Sequence, residues 1–269
     1  MSTIGFIGSG NMAEALIKGI ITANLYKPTN ILISDIRPER LKQLAKKYKV
    51  KQAKDNHDLV SKADIIVLSV KPQSMADAMK SIKNAIRGRK LVISIAAGVK
   101  TSRIADVLGN VAIIRAMPNT PALIGEGASA LFANAKAKPM LKKAKAVFSA
   151  VGKAVVVDNE GLIDAVTAVS GSGPAYYFLL MEEMIKAAGK LGLTEDVAKD
   201  LVLQTAKGAA LLAVDADGRR ESPVKLRQKV TSPGGTTEAA LKELAKGNFG
   251  PLVESAVKKA RDRSRELSA

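Results

Sequence analysis

The first 158 residues alternate between short apolar runs and amphipathic segments. The runs TIGFIG, NILISD, ADIIVLSV, KLVISIAA and NVAIIRAM are rich in Val and Ile, which is typical of parallel strands buried on both faces. Between them, apolar residues recur at helical spacing, as over residues 11–23 and 38–48. This pattern predicts an α/β domain with a doubly wound sheet, completed by ASALFA, a helix near residues 136–150 and GKAVVVD.

From residue 159 onward the strand pattern ends and every long segment has helical periodicity. The sequence therefore predicts two domains, an α/β domain over residues 1–158 and an all-α domain over residues 159–269. The segments LIDAVTAV and DLVLQTAKGAALLAV have too few polar positions for isolated surface helices. We expect a homodimer built through the second domain, and the alternative is a monomeric bundle that buries these faces internally.

Composition excludes several classes of function. The 269 residues include no cysteine, which excludes disulfides, thiolate metal sites and cysteine nucleophiles. The formal net charge of +17 attracts anions, but only 3% of residues are aromatic and the basic residues are spread at helical spacings. We therefore expect no nucleic-acid partner, and we interpret the charge as an attraction for small acids and phosphorylated cofactors.

The sequence shows no targeting or membrane segment. The first residues form an apolar run and a turn, without a basic region followed by an apolar signal core. No apolar run approaches the roughly 18 residues that a membrane span requires. We therefore expect a soluble cytoplasmic protein without a membrane partner.

The segment GSGNMA, residues 8–13, is a G-x-G-x-x-A motif between the first strand and the first helix. The first glycine permits a tight turn, the second lets the backbone approach a pyrophosphate, and the small last residue lets helix and strand pack closely. The free N–H groups of the helix N-terminus then face the anion. This context predicts a Rossmann-type domain that binds NADH or NADPH.

The residues after the second strand leave the choice between the two cofactors open. Asp35, 22 positions past Ala13, can accept a hydrogen bond from a ribose 2′-hydroxyl, which favours NADH. Ser34, Arg37 and Arg40 can hold a 2′-phosphate, which favours NADPH.

Ligands of parallel sheets bind at the carboxyl ends of the strands. In this chain those ends carry SVKP, SIAAG and RAMPNTP. We expect four residues of these segments to face the cofactor or its nicotinamide: Lys71, Ala96, Ala97 and Asn119. For Lys71 the alternative is an ordinary loop lysine.

The segment TSPGGTTEAALKEL, residues 231–244, predicts a tight turn that opens a helix. Pro233 fixes a bend, the two glycines let backbone N–H groups converge, and we expect Thr236 or Thr237 to cap the helix. Such a turn suits a small carboxylate. The alternative is a capped helix without a ligand.

A second glycine-rich segment, AVSGSGPAYYF over residues 168–178, places two glycines and a proline in a helical run, which predicts a break or kink. Ser170 and Ser172 lie either near the substrate or at a close helix crossing that the glycines permit. His57 lies on a charged segment, and we do not expect it to take part in catalysis.

Six motifs together identify a family. GFIGSGNM, VKP, SIAAGV, RAMPNTPA, AVSGSGPAY and TSPGGTT occur in an order and spacing that closely resembles pyrroline-5-carboxylate reductase over essentially the whole chain. The resemblance implies NAD(P)H-dependent reduction of a cyclic imino acid, 1-pyrroline-5-carboxylate, to L-proline in proline biosynthesis. It also implies an N-terminal Rossmann domain and a C-terminal α-helical domain that exchanges around a partner to form dimers, often assembled into decamers.

Carried onto this chain, the resemblance and the strand-end analysis give one set of cofactor residues: Ile7, Gly8, Ser9, Gly10, Asn11, Met12, Ser34, Asp35, Arg37, Asn56, Ser69, Val70, Lys71, Pro72, Ala96, Ala97 and Asn119. The resemblance places the substrate beside Glu160, Lys229, Val230, Ser232, Gly234, Gly235, Thr236 and Thr237. The chain departs from the family at Gln228 and Lys229, where relatives often have Asp and then Asn or Met, so the role of that Asp is absent here. A short insertion over residues 215–222 predicts a loop.

The chemistry of imine reduction agrees with these residue types. A protonated imine is already an electrophile, so positioning suffices and no metal or covalent nucleophile is required. We expect Thr237 to hydrogen-bond the ring nitrogen, either to relay the proton or only to orient an iminium that binds protonated.

Two other functions compete with this assignment. Hydroxy-acid dehydrogenases of similar domain organisation place a catalytic lysine on the helix that opens the second domain, and residues 160–177 contain no lysine. A dinucleotide-binding regulatory or nucleic-acid-associated protein without turnover is the alternative outside the enzymes.

Overall fold

The computed structural model describes residues 2–267. These residues form eight strands, numbered in chain order as β1 (Ile4–Ile7), β2 (Ile31–Ser34), β3 (Lys51–Gln52), β4 (Ile65–Leu68), β5 (Leu91–Ser94), β6 (Ala112–Met117), β7 (Gly127–Ala133) and β8 (Gly152–Val156). The same residues form twelve α-helices: α1 (Asn11–Thr22), α2 (Pro38–Tyr48), α3 (Asn56–Lys62), α4 (Met75–Ile82), α5 (Thr101–Leu108), α6 (Leu141–Ser149), α7 (Leu162–Val166), α8 (Gly173–Lys190), α9 (Glu195–Gly218), α10 (Pro223–Lys229), α11 (Thr236–Lys246) and α12 (Phe249–Leu267). One turn of π-helix, Thr167–Gly171, follows α7.

The strands form one sheet in the order β3-β2-β1-β4-β5-β6-β7-β8. The pairs from β3 to β6 are all parallel, and the order reverses direction at β1, which lies between β2 and β4. β7 runs antiparallel to β6, and β8 runs parallel to β7. The predicted doubly wound sheet is confirmed, and β7 and β8 extend it at one edge.

Both faces of the sheet are covered by helices. In β4, Ile65 and Val67 belong to an apolar cluster with residues of α1 and α6, whereas Ile66 and Leu68 belong to a second cluster with residues of α3, α4 and α5. All four side chains are at most 2% exposed. Burial on both faces explains why the strands are continuous apolar runs without alternation.

The chain divides into two compact units. The first unit extends to Pro174 and includes the chain again from Lys259 onward, and the second unit is Ala175–Lys258. The sequence predicts the domain boundary after residue 158, directly after the last strand. The compact units divide later, after Pro174, so α7 and the π turn belong to the first unit. Helix α12 begins in the second unit and ends in the first.

The second unit is helical and leaves large apolar side chains exposed. They lie on α8, α9 and α12 and include Tyr177, Phe178, Leu201, Leu211, Val214 and Leu252. A single copy of the chain therefore leaves apolar faces of this unit uncovered. None of the helices in residues 2–267 is long and apolar enough to cross a membrane.

Three local expectations differ from the structure. The two-residue strand β3 is polar and exposed, so the sequence carried no signal for it. The helix expected near residues 136–150 begins at Leu141, because Ala135–Met140, which contains Pro139, forms a 3₁₀ turn. The loop expected over residues 215–222 is confined to residues 219–222, since α9 continues to Gly218 and buries Ala216.

Candidate active site

The carboxyl ends of five neighbouring strands meet at one edge of the sheet. The register pairs Ile7 with both Ser34 and Leu68, Leu68 with Ser94, and Ser94 with Arg115. The segments that follow these strand ends carry the predicted cofactor residues. The structure therefore brings together residues 8–12, Ser34, Asp35, residues 69–72, Ala96, Ala97 and Asn119.

Gly8 ends β1 in the left-handed region, with φ of +90°. Its N–H donates to Ser34 O at 2.8 Å, and Ser69 Oγ donates to Gly8 O at 2.6 Å. A Cβ at this position would lie 2.7 Å from Ser69 O. Contacts within the protein alone therefore require glycine here.

Gly10 differs from Gly8, because no protein contact requires it to be glycine. Its φ of −71° suits any residue, and a Cβ there would have no protein atom within 4 Å. Gly10 is the N-cap of α1 and supplies no side-chain cap, and the N–H groups of Asn11 and Met12 have no acceptor within residues 2–267. An open cradle in front of free helix N–H groups fits a dinucleotide pyrophosphate.

Asp35 is engaged through both carboxylate oxygens. Oδ2 accepts from Ser9 N–H at 2.7 Å and from Arg37 Nη2 at 3.0 Å. Oδ1 accepts from Arg37 N–H at 3.0 Å and from Arg37 Nε at 2.9 Å. Burial raises the pKa of Asp35, but the hydrogen bonds from Arg37 and Ser9 lower it more, so the pKa lies below its ordinary value. The carboxylate has no lone pair left for another donor.

Arg40 joins the glycine turn to α1 and α2. Its Nε donates to Ser9 O at 2.8 Å, and its Nη2 pairs with Glu14. Glu14 also accepts from Lys47 Nζ and Tyr48 Oη, each at 2.8 Å. Burial raises the pKa of Glu14, but the hydrogen bonds from Lys47, Arg40 and Tyr48 lower it more, to about 2. Glu14 therefore stays ionised at neutral pH and holds Arg40 against the turn.

Ser34 and Asn56, two predicted cofactor residues, contact each other. Ser34 Oγ donates to Asn56 Oδ1 at 2.7 Å, and Asn56 Nδ2 donates to Ser81 Oγ at 2.9 Å. Lys71 is exposed and precedes the 3₁₀ turn Pro72–Ser74. The side chains of Ser34 and Asn56 are thus held in place by each other, whereas that of Lys71 extends into solvent.

The π turn is the helix break expected in AVSGSGPAYYF. Asn119 Nδ2 donates to Ser170 O at 3.2 Å, and Asn119 Oδ1 accepts from Ala128 N–H at 2.8 Å. A Cβ at Gly171 would lie 2.6 Å from Met117 Cε. This glycine therefore permits a close approach to the strand β6, whereas the packing alternative expected a close crossing of two helices.

Glu160, which the resemblance places beside the substrate, is bound within the first unit. Its Oε1 accepts from Thr101 N–H and its Oε2 from Thr101 Oγ1, both at 2.7 Å. Arg115 in β6 is 1% exposed, and it lies 3.5 Å from Glu160 Oε1 and 3.5 Å from Asp164 Oδ1. The contacts of Glu160 in the structure are thus with the N-terminus of α5 and a buried arginine.

Sequence reasoning missed Thr101, Arg115 and Asp164. The available signal was an arginine inside the apolar run AIIRAM of β6. A buried guanidinium requires anionic partners, because an unpaired charge in the core is strongly destabilising.

The predicted substrate turn lies in the second unit between α10 and α11. Gly234 has φ of +70°. Its N–H donates to Glu238 Oε2 at 3.0 Å, and the N–H of Gly235 donates to Ser232 O at 3.0 Å. The two glycine amides are therefore satisfied within the protein.

The expectation that Thr236 or Thr237 caps the helix is wrong. The N-cap of α11 is Gly235, whose backbone is extended with ψ of 172° and whose carbonyl accepts from Ala239 N–H at 3.2 Å. The two threonines are already helical, and within residues 2–267 their N–H groups have no acceptor. These two amides, rather than the glycine amides, are open to an anion.

Lys229 ends α10 and pairs with Glu221. This hydrogen bond lowers the pKa of the Glu221 carboxyl. Val230 is 63% exposed, and Ser232 is also exposed. The Lys229 ammonium is therefore paired with a carboxylate that is not part of the glycine turn.

Two family models match the chain. Residues 160–267 match pyrroline-5-carboxylate reductase dimerisation, and residues 3–98 match NADP oxidoreductase coenzyme F420-dependent. The pyrroline-5-carboxylate reductase of Pseudomonas aeruginosa is 45% identical over 272 residues, which cover 100% of this chain and 98% of that protein. This chain belongs to the pyrroline-5-carboxylate reductase family.

Solved structures of this family agree in fold. The pyrroline-5-carboxylate reductase of Coxiella burnetii superimposes with a TM-score of 0.93 at 42% identity, covering 100% of this chain and 99% of that one. The pyrroline carboxylate reductase of Plasmodium falciparum, solved with NADP bound, has a TM-score of 0.87 at 32% identity and covers 100% and 98% of the two chains. The resemblance inferred from the six motifs is confirmed.

The Glu14 cluster predicts a pH-dependent stability. An unfolded glutamate has a pKa of about 4.3, and the folded value is about 2, so the contribution is complete above the unfolded pKa and is lost as the pH falls through the folded one. Glu14→Gln should lower the free energy of unfolding by about 1 kcal/mol at pH 7, since water screens a partly exposed group. Urea unfolding should show this difference shrinking below pH 4, whereas the exposed Glu243→Gln should show none. A constant difference from pH 7 to pH 3 would contradict the assignment.

The open space at Gly10 predicts a selective loss of binding. Gly10→Val should fold normally, because no protein atom lies near the new side chain, and should abolish NADPH binding by occupying the pyrophosphate position. Fluorescence titration measures the affinity, and circular dichroism checks the fold. Unchanged affinity in a folded variant would reject the assigned turn.

Proposed function

We propose that this protein reduces 1-pyrroline-5-carboxylate to L-proline with NADPH or NADH, the last step of proline biosynthesis. The observation that carries the proposal is the open cradle at Gly10, where a Cβ would meet no protein atom within 4 Å, in a chain of this family. Gly189 and Gly208 also have open space around a Cβ, so what distinguishes Gly10 is its position: it is the N-cap of the helix that follows β1, and the first N–H groups of that helix are free.

Residues of the first unit are suited to hold the cofactor. The N–H groups of Asn11 and Met12 bind the pyrophosphate, and Gly8 fixes the turn that presents them. Ala96 and Ala97 follow β5 at the same sheet edge, where small side chains leave room for the nicotinamide. When bound, the cofactor supplies a hydride to the imine carbon of the substrate.

We favour NADPH over NADH. A ribose 2′-hydroxyl would need a free lone pair on Asp35, and both oxygens of that carboxylate already accept two hydrogen bonds each. Arg37 is 58% exposed at the side chain, so its guanidinium can also contact a 2′-phosphate.

Residues of the second unit are suited to hold the substrate. The free N–H groups of Thr236 and Thr237 open α11 and bind the carboxylate, which carries the same charge before and after reduction. The Thr237 hydroxyl donates to the ring nitrogen of a neutral imine, which gains a proton as its carbon gains a hydride, or it accepts from the N–H of an iminium that binds already protonated and needs only the hydride. Positioning by these groups suffices, because a protonated imine is already electrophilic.

Cofactor oxidation tests the function directly. With 1-pyrroline-5-carboxylate present, absorbance at the reduced nicotinamide band should fall with NADPH and more slowly with equal NADH. Proline should accumulate in equal amount. Oxidation of neither cofactor would overturn the proposal.

Thr237→Ala and Gly235→Ala should affect different kinetic constants. Loss of the Thr237 hydroxyl removes an interaction with an atom whose charge changes, so kcat should fall about ten- to a hundredfold with little change in KM. A Cβ at Gly235 would stand beside the open amides, 3.1 Å from Ser232 O, and should raise KM for the substrate.

Steady-state kinetics separates these outcomes. Thr194→Ala is the matched control, because Thr194 is exposed and its side chain makes no cap hydrogen bond. If Thr237→Ala instead raises KM with kcat intact, the threonine only cradles the carboxylate, and the proton arrives with the substrate or from water.

We propose that the protein is a homodimer through the second unit, further assembled into a decamer, and that it acts in the cytoplasm. The uncovered apolar side chains of α8, α9 and α12 support the dimer. The absence of cysteine is compatible with a reducing compartment, and the 3% aromatic content argues against a nucleic-acid partner.

Light scattering at micromolar concentration should give at least twice the 28.3 kDa mass of one chain. Leu211→Glu, on the exposed apolar face of α9, should shift the mass toward that of one chain, because a carboxylate would be buried unpaired in the interface. A mass of 28.3 kDa for the unmodified protein would refute the dimer.

A further inference from the structure

The last described turn of α12 returns to the loop that follows β5. In this β5 loop, residues 95–100, Gly98 has φ of +72°, and a Cβ there would lie 2.8 Å from Leu267 O. The same loop contains Ala96 and Ala97, two of the proposed cofactor residues. The last described turn of α12 thus packs directly against a loop to which we assign a role in cofactor binding.

Besides the direct contact of Leu267 with Gly98, a chain of buried polar contacts also connects α12 with the β5 loop. Ser264 on α12 is 3% exposed, and its Oγ donates to Asp164 Oδ1 at 2.8 Å. Asp164 and Glu160 both face the Arg115 guanidinium at 3.5 Å. Glu160 holds the N–H and the hydroxyl of Thr101, the residue that follows the β5 loop.

Both the direct contact and the chain of polar contacts begin on one face of α12. Ser264 and Leu267 are three residues apart and therefore lie on the same side of α12. Among the described residues of α12, Ser264 is the one that is buried. A polar residue at that position contributes a directed hydrogen bond instead of apolar packing, which specifies where the helix end lies.

We propose that the C-terminal segment, residues 259–267, positions the β5 loop for the cofactor. Leu267 fixes the loop at Gly98, and Ser264 fixes it at Thr101 through Asp164, Arg115 and Glu160. Ser264 and Asp164 are positioning residues that act through the loop. The inference rests on the proposed cofactor role of Ala96 and Ala97.

Hydrogen exchange on the cofactor-free protein tests the positioning step without reference to activity. In Ser264→Ala, amides of residues 95–101 should exchange faster than in the unmodified protein, because local opening of the loop becomes easier. Ser102→Ala is the matched control, since Ser102 is exposed on α5, next to Thr101. Its exchange over residues 95–101 should be unchanged.

The affinity for NADPH tests whether the position of the β5 loop affects cofactor binding. Ser264→Ala should raise the Kd for NADPH about two- to tenfold, the loss expected for one buried hydrogen bond. Its KM for 1-pyrroline-5-carboxylate and its oligomeric mass should match those of Ser102→Ala, which a general loss of structure would not allow.

A double-mutant cycle isolates the Leu267 contact. Gly98→Ala is strained by its φ in any background, so it is measured in the full chain and in a chain that ends at Glu266, which lacks Leu267 but keeps Ser264. The loss of NADPH affinity should be smaller in the shortened chain, because the clash with Leu267 O is gone. A chain that ends at Leu267 controls for shortening itself.

The outcomes separate this inference from the proposed function. Equal exchange and equal Kd in Ser264→Ala and Ser102→Ala, or equal Gly98→Ala losses in the two backgrounds, would overturn the positioning role. Failure of Gly10→Val to reduce NADPH affinity would instead reject the cofactor site, and the exchange result would still decide whether the C-terminal segment holds the loop. If Ser264→Ala does not fold, Asp164→Asn replaces it in both measurements.

Discussion

Gly8 fixes how closely the ends of β1, β2 and β4 approach one another. It accepts a hydrogen bond from Ser69 after β4 and donates one to Ser34 at the end of β2, and a Cβ on Gly8 would lie only 2.7 Å from Ser69 O. The chain can turn into α1 at this point only because glycine tolerates φ of +90°. The direction of α1, and with it the direction in which the amides of Asn11 and Met12 point, follows from this turn.

Ion pairs then hold the region around the turn. Asp35 binds Ser9 N–H, and Arg40 binds Ser9 O, so the backbone of one residue is held from both sides. Each charged group is matched: Asp35 by Arg37 and Arg40 by Glu14. A pyrophosphate bound at the proposed site would add negative charge here, and the helix N-terminus together with partly exposed Arg37 would supply the complement. Rigid positioning of free amides is the condition under which they bind an anion without reorganising.

Periodicity was sufficient to predict every described strand except β3, because apolar runs contrast with the amphipathic helices between them, whereas β3 is polar and exposed. The glycine motif could be recognised as a candidate cofactor turn because its residues are adjacent in sequence. The cluster of Arg115, Glu160, Asp164 and Ser264 could not be predicted, since its members are up to 149 positions apart and only the fold brings them together. The N-cap of α11 was misplaced because the choice between Gly235 and a threonine depends on where helical backbone begins, which composition does not fix.

The two proposed anion sites share one design at the level of the backbone. Both α1 and α11 begin after a glycine N-cap, Gly10 and Gly235, that offers no side-chain oxygen to the first turn. In α3 and α10, by contrast, Asp55 and Ser222 accept from the backbone N–H three residues ahead. Replacing such a cap by glycine costs only a few tenths of a kcal/mol, while it leaves the N–H groups of the first turn without a partner. A glycine N-cap is therefore an inexpensive way to keep helix amides open, and the ligand that later accepts from them contributes the hydrogen bonds that the cap omits.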